Sequence, residues 1–145
     1  MNTNQIQWVE NASLVFSQTG MPLAWGKILA YLLISDDAHV EMKKVTEDLK
    51  VSKGGTSTGL RFLITAGLVE KIRVPDIKND CYRIRDDAWM QHFKVVHEQI
   101  IRINNLAKEG VKIAQKNHSN RTRLEEMLKF HTWILENIPA VSPKK

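Results

Sequence analysis

Residues 47–74 read EDLKVSKGGTSTGLRFLITAGLVEKIRV, and this stretch decides the fold. A helical segment ends at Leu49 and is followed by the turn Lys50-Val51-Ser52. Ser52 is a good N-cap for a longer helix over Lys53 to Ala66, and Gly67 suits the left-handed position just after a helix. Two helices joined by a three-residue turn predict a helix-turn-helix, whose second helix enters the major groove of DNA.

A short β-hairpin is predicted directly after these two helices. Residues 68–74 and 81–85 alternate apolar and polar side chains, and the residues between them are rich in turn formers. Such a two-stranded hairpin forms the wing of a winged helix-turn-helix. The predicted fold class is therefore mainly α, a winged helix-turn-helix with a two-stranded wing and with N- and C-terminal dimerisation helices.

The segments before the turn also have helical patterns. The first predicted helix covers Gln5 to Gln18. The second opens at Met21-Pro22, where a proline in the first turn costs no hydrogen bond, and it runs to about Ser35. It is apolar on nearly every face, which is typical of a helix buried between other helices. A short helix is also predicted over residues 40–49, directly before the turn.

The C-terminal part of the chain carries two heptad patterns, each typical of a helix that packs along one seam. We expect both seams to serve dimerisation, with packing of the two helices against each other in one chain as the alternative. The predicted domains are an N-terminal dimerisation helix (1–19), the winged helix-turn-helix (20–86) and a C-terminal helical hairpin for dimerisation (87–145). The seam positions are Trp89, Phe93, Val96, Ile100, Ile103 and Ala107, followed by Leu124, Leu128, His131, Leu135 and Ile138.

Residues 47–74 are similar to the winged helix of the MarR superfamily, with its V-S turn, Ser/Thr-rich second helix and Gly-Leu-Val entry into the wing. The upstream Gly20-Met21-Pro22 and Gly26-Lys27-Ile28 resemble the GbsR branch of that superfamily. The resemblance covers residues 20–85. It implies a dimeric transcriptional regulator whose terminal helices form the interface, and many members of the superfamily release DNA on binding a small effector.

The charge distribution fits a polyanionic partner. The chain carries a formal net charge of +5, and residues 41–85 hold ten Lys and Arg against six Asp and Glu. We predict contacts to double-stranded DNA from the second helix, from the helix before it and from the wing, the alternative being an ordinary solvated surface. The predicted DNA-binding residues are Lys43, Lys44, Ser52, Lys53, Gly54, Gly55, Thr56, Ser57, Thr58, Arg61, Lys71, Arg73, Lys78 and Arg83.

Aromatic side chains are concentrated outside this central unit. Trp8, Trp25, Tyr31 and Trp89 are candidate effector-binding residues, because such rings can cage a quaternary ammonium group by cation–π attraction, and the GbsR resemblance suggests a choline-like effector. Core packing is the competing and favoured interpretation of these rings. The lone Cys81 is expected to be a buried, inert thiol, with redox sensing as the alternative.

The sequence predicts neither an enzyme nor a metal or cofactor site. It lacks a phosphate-binding glycine loop, a nucleophile elbow and metal-ligand histidine spacing. No stretch is long and apolar enough for a membrane span, and we expect a cytoplasmic protein. The predicted function is sequence-specific DNA binding by a dimeric repressor that a small effector releases. The alternative is a winged-helix module for protein interaction or assembly without DNA binding.

Overall fold

The computed structural model describes residues 1–140, so the last five residues of the predicted C-terminal hairpin (87–145) lie outside the described residues. The chain divides into two compact units, Met1–Trp89 and Met90–Lys145. The elements in chain order are α1 (Thr3–Ser17), α2 (Leu23–Ile34), β1 (Val40–Glu41), α3 (Met42–Leu49), α4 (Lys53–Thr65), β2 (Val69–Ile72), β3 (Cys81–Ile84), α5 (Ala88–Ile113) and α6 (Ser119–Asn137). The mainly helical, winged-helix fold class is confirmed.

The core of the first unit is built around α2. Ile28, Leu29 and Tyr31 are almost completely buried there, as the all-round apolar pattern of this helix predicts. Leu60 and Leu63 of α4 pack into the same cluster. The apolar side of α4 therefore packs against α2, and the polar side of α4 faces outward.

The close approach of α2 and α4 depends on Gly59. A Cβ atom added at Gly59 would lie 2.7 Å from Cδ1 of Ile28 and 2.9 Å from Cδ1 of Trp25. Trp25 also packs against Phe62 of α4, with ring centroids 4.7 Å apart and an angle of 31° between the ring planes. The two helices consequently meet where one of them has no side chain, and the indole covers that gap.

The sheet has one strand more than the sequence predicts. Its order is β1-β3-β2, all antiparallel, with Val40 opposite Tyr82 and Val69 opposite Ile84. The predicted two-stranded hairpin is therefore confirmed as β2–β3, and β1 extends it to a three-stranded sheet that the sequence pattern did not predict. The added strand β1 has only two residues, too few to show an alternating pattern, and it pairs with a strand about forty residues away.

Local signals fix the ends of α4. The Ser52 side chain accepts a hydrogen bond from the backbone N–H of Gly55 at 3.0 Å, which confirms the predicted N-cap. Gly67 has φ +80°, and the N–H of Leu68 donates to the carbonyl of Leu63. The predicted left-handed ending is therefore confirmed, and it directs the chain into β2.

A partly buried hydrogen bond joins α2 to α3. The Tyr31 hydroxyl donates to Oδ2 of Asp48 at 2.6 Å, and burial, followed by the neighbouring carboxylate, raises the pKa of Tyr31 above its usual value. The hydroxyl therefore remains a donor at neutral pH. Asp48 also pairs with Lys44 at 3.9 Å, so this bond connects the core to the surface of α3.

The second unit contains α6 and most of α5. The buried Asn104 of α5 donates to the Thr132 hydroxyl of α6 at 2.9 Å, and Arg121 donates to the carbonyl of Ala114. Ala107, a predicted seam residue, is fully buried. The Asn104–Thr132 hydrogen bond joins α5 to α6 within one chain, and the seam residue Leu124 of α6 lies against α5, because a Cβ at Gly110 would be 3.0 Å from its Cδ2.

Candidate DNA interface

The N-terminus of α4 is exposed and has free hydrogen-bond donors. Ser52 satisfies the backbone N–H of Gly55, and the carbonyl of Ser52 accepts the N–H of Thr56. Within residues 1–140, the N–H groups of Lys53 and Gly54 have no acceptor, as expected for the first turn of a helix. These two donors, with the positive end of the helix dipole, can bind a phosphate oxygen.

The outer side of α4 carries the two cations best placed for DNA. Lys53 and Arg61 are exposed, and neither has an acidic partner in the described part of the chain. The Arg61 guanidinium lies 3.4 Å from the Ser57 hydroxyl, and the exposed Thr58 hydroxyl donates to the carbonyl of Gly54. Their positions along α4 therefore present charge and hydroxyl groups on the side opposite the core.

Thr56 has a different role from the one predicted. It is fully buried, so it cannot contact DNA in this conformation. Its hydroxyl donates to the carbonyl of Ser52 at 2.9 Å and lies 3.1 Å from the hydroxyl of Thr46 on α3. The side chain therefore links the two helices of the helix-turn-helix, because it lies on the α4 side that faces α3.

The two lysines of α3 are paired with carboxylates. Lys43 lies 3.9 Å from Glu47, and Lys44 lies 3.5 Å from Asp37 and 3.9 Å from Asp48. All of these groups are well exposed, so the pairs are weak and can exchange for a phosphate. Lys43 and Lys44 remain predicted contacts, but each would have to leave an acid.

The outer part of the wing is also internally paired. Nη1 of Arg73 lies 3.2 Å from Oδ1 of Asp80 and donates to the carbonyl of Lys78 at 2.7 Å. Nζ of Lys71 lies 3.9 Å from the other oxygen of Asp80. Lys78 is exposed and has no acidic partner among residues 1–140. One carboxylate therefore offsets two of the three cations in this part of the hairpin.

The arginines at the base of the wing are also paired with carboxylates. Nε of Arg83 donates to Glu70 at 2.7 Å, across the β2–β3 pair. Arg85 lies 4.0 Å from Glu70 and donates to Asp87 at 3.0 Å. The Arg83–Glu70 pair joins β3 to β2. Arg83 is therefore less available for phosphate contact than its sequence position suggests.

One surface cation was not among the predicted contacts. Lys50 occupies the left-handed C-cap of α3, with φ +55°, and its side chain is exposed next to the start of α4. It has no acidic partner within the described residues. Its position in the predicted turn of the helix-turn-helix could have identified Lys50 as a candidate DNA contact from the sequence.

The four candidate effector residues lie in different surroundings. Tyr31 is buried and hydrogen-bonded to Asp48, and Trp25 packs against Phe62. Trp8 and Trp89 are largely exposed. No ring contact joins two of the four among residues 1–140. For Tyr31 the structure therefore favours core packing over a cage, which corrects its assignment as an effector contact.

Cys81 is completely buried in β3, and burial raises the pKa of its thiol. A buried thiol with a raised pKa has little reactive thiolate at neutral pH. In residues 1–140, no group of three His, Cys, Asp or Glu side chains is arranged to hold a metal ion. None of the described helices has the length and apolarity needed to cross a bilayer.

Comparison with known proteins agrees with this architecture. A family model described as an MmpR5-like MarR family transcriptional regulator matches residues 87–142. The HTH-type transcriptional regulator MmpR5 of Mycobacterium tuberculosis (strain ATCC 25618 / H37Rv) is 25% identical over 133 residues, which cover 92% of this chain and 81% of that protein. A crystal structure described as a transcriptional regulator superposes with a TM-score of 0.81 at 23% identity, covering 92% of both chains.

Proposed function

We propose that this chain, a winged-helix DNA-binding transcriptional regulator of the MarR family, binds its operator as a homodimer through the outer side of α4 and represses by occlusion. The observation that carries the assignment of the surface is the start of α4. Free backbone donors and Lys53 lie at this end of the capped helix, and Arg61 lies eight residues further along its exposed side. Neither cation has an acidic partner within residues 1–140. The major groove admits one helix, and this side is the one available to enter it.

Each group on α4 has a distinct proposed role. The N–H groups of Lys53 and Gly54 and the Lys53 ammonium bind a backbone phosphate. Thr58 lies on the same exposed side and contacts the phosphate or a base edge. Arg61 is long enough to reach a base and has two donors for the acceptors of guanine. Phosphate contacts of this kind position the helix, and the arginine supplies sequence discrimination.

Binding to upstream DNA tests this function directly. We expect the protein to prefer a duplex from the region upstream of its own gene over a scrambled duplex of equal length. The logarithm of the binding constant should fall linearly with the logarithm of salt concentration, by about 0.9 per phosphate contact. Lys53→Ala should reduce that slope by about 0.9. Equal binding to both duplexes at every salt concentration would contradict self-regulation, and no binding at low salt would contradict the function.

A homodimer is proposed because large apolar side chains remain uncovered on the predicted dimerisation elements. These side chains lie on α1, α5 and α6. Exposed apolar surface of this kind marks an interaction surface. A two-fold dimer would present two α4 helices about 34 Å apart, one turn of duplex. The exposed residues include Ile6, Leu14 and Val15 of α1, Leu106 of α5, and Phe130 and Trp133 of α6.

Light scattering on the purified protein at micromolar concentration tests the dimer. We expect twice the chain mass, and Phe130→Asp combined with Trp133→Asp should shift the protein toward the monomer mass because buried carboxylates oppose association. Leu14→Asp tests the α1 surface separately. A monomer mass for the unmodified protein would overturn the dimer.

We further propose the GbsR branch for this chain, supported by Gly20-Met21-Pro22 and Gly26-Lys27-Ile28. Gly26 also has a packing role, because a Cβ there would lie 3.1 Å from the carbonyl oxygen of Ser13 on α1. The second motif therefore joins α1 to α2 and does not by itself specify an effector. Release by a small effector remains a prediction from the family resemblance.

A further inference from the structure

The carboxylate of Asp80 occupies a position that a DNA phosphate could take in the wing. The register of β2 and β3, continued by one residue, brings Asp80 opposite Arg73, and Lys71 is the diagonal neighbour on the same face. One oxygen of Asp80 lies 3.2 Å from the Arg73 guanidinium and the other lies 3.9 Å from the Lys71 ammonium. A single anion thus holds two cations whose sequence positions predict phosphate contact.

These ion pairs are exposed enough to exchange with solvent and with DNA. The side chains of Lys71, Arg73 and Asp80 are 54%, 63% and 39% exposed. Ion pairs at such positions contribute little to stability. The hairpin therefore does not need the charge of Asp80 to stay folded, since the β2–β3 backbone pairing and the hydrogen bond from Arg73 to the Lys78 carbonyl remain without it.

We propose that Asp80 is an intramolecular competitor for phosphate, which limits the sequence-independent part of DNA binding by holding Lys71 and Arg73. This inference rests on the proposed function of the same surface. Because the wing cations reach phosphates and not bases, Asp80 acts equally on the operator and on unrelated duplex. Specificity then stays with α4, where Lys53 and Arg61 have no such competitor among residues 1–140.

The test is Asp80→Asn, measured on the upstream duplex and on a scrambled duplex across a salt series. The amide keeps one oxygen that can accept from Arg73, removes the charge, and replaces the second oxygen, near Lys71, with an NH2 group. We expect affinity for both duplexes to rise by about tenfold near 0.1 M salt, with the salt slope steeper by about 0.9 for each cation that reaches a phosphate. The ratio of the two affinities should not change.

Asp76→Asn is the matched control. It removes the same charge from the same hairpin, Asp76 has no ion pair within residues 1–140, and asparagine tolerates its φ of +69°. We expect an unchanged slope and less than about a twofold gain in affinity for this variant. Equal effects of the two substitutions would overturn the proposal, because net charge alone would then explain the gain.

A double-mutant comparison identifies the cations that are released. Lys71→Ala with Arg73→Ala should change the affinity of the unmodified protein little, and should abolish the gain in the Asp80→Asn background. An equal loss in both backgrounds would overturn the proposal, since the cations would then not be held by Asp80. If Lys53→Ala weakens binding while Asp80→Asn has no effect, the α4 interface stands and only this inference fails.

Discussion

Replacing Gly59 with valine should destabilise the first unit by about 1–3 kcal/mol. The first added atom would already lie 2.7 Å from Ile28 and 2.9 Å from Trp25, and two further methyl groups follow it. Ile28 is completely buried, and Trp25 packs against Phe62. Because both side chains are packed, either they shift or α2 and α4 separate, and each response loses packing.

Gly54→Ala provides the matched control on the same helix. A Cβ there would meet no atom within 4 Å, and alanine is about 1 kcal/mol more favourable than glycine in a helix. We expect Gly54→Ala to be neutral or stabilising and Gly59→Val to unfold at lower urea concentration, with circular dichroism as the readout. Equal midpoints for the two variants would show that the α2–α4 approach is not as close as the structure has it.

Removing the Arg61 side chain should have the largest effect on DNA recognition. If Arg61 contacts a guanine, Arg61→Ala should weaken operator binding by about 1–3 kcal/mol and relax discrimination at one base position. The unmodified guanidinium is exposed and makes no ion pair among residues 1–140, so no acid has to be displaced before it reaches a base. Folding stability should hardly change, because the side chain does not contribute to the core.

The measurement is competition between the operator and single-base variants, with two matched substitutions alongside. Lys53→Ala should weaken all duplexes by a similar factor, since it contacts a phosphate. Arg102→Ala removes an equal charge from the second unit, where Arg102 is 75% exposed and paired with Glu98, and should have little effect. An unchanged base preference in Arg61→Ala would show that this arginine does not read the sequence.

Much of the fold was predictable because its signals are local. Ser52 caps α4 through a bond to a backbone group three residues away, and Gly67 ends it through its own φ. The apolar pattern of α2 depends only on which residues follow one another. Strand β1 was not predicted because two residues are too few to show an alternating pattern. Its pairing with β3 joins residues that lie about forty positions apart in the chain.

By itself the sequence determined the helices, the turn and the hairpin of this protein. Only the tertiary structure decided which polar groups are available to a partner. Thr56 and Thr58 are two residues apart in one helix, yet one is buried against α3 and the other is exposed. Burial and ion pairing depend on what other elements bring to each side chain, as Asp80 shows by holding Lys71 and Arg73 while Arg61 has no acidic partner within residues 1–140.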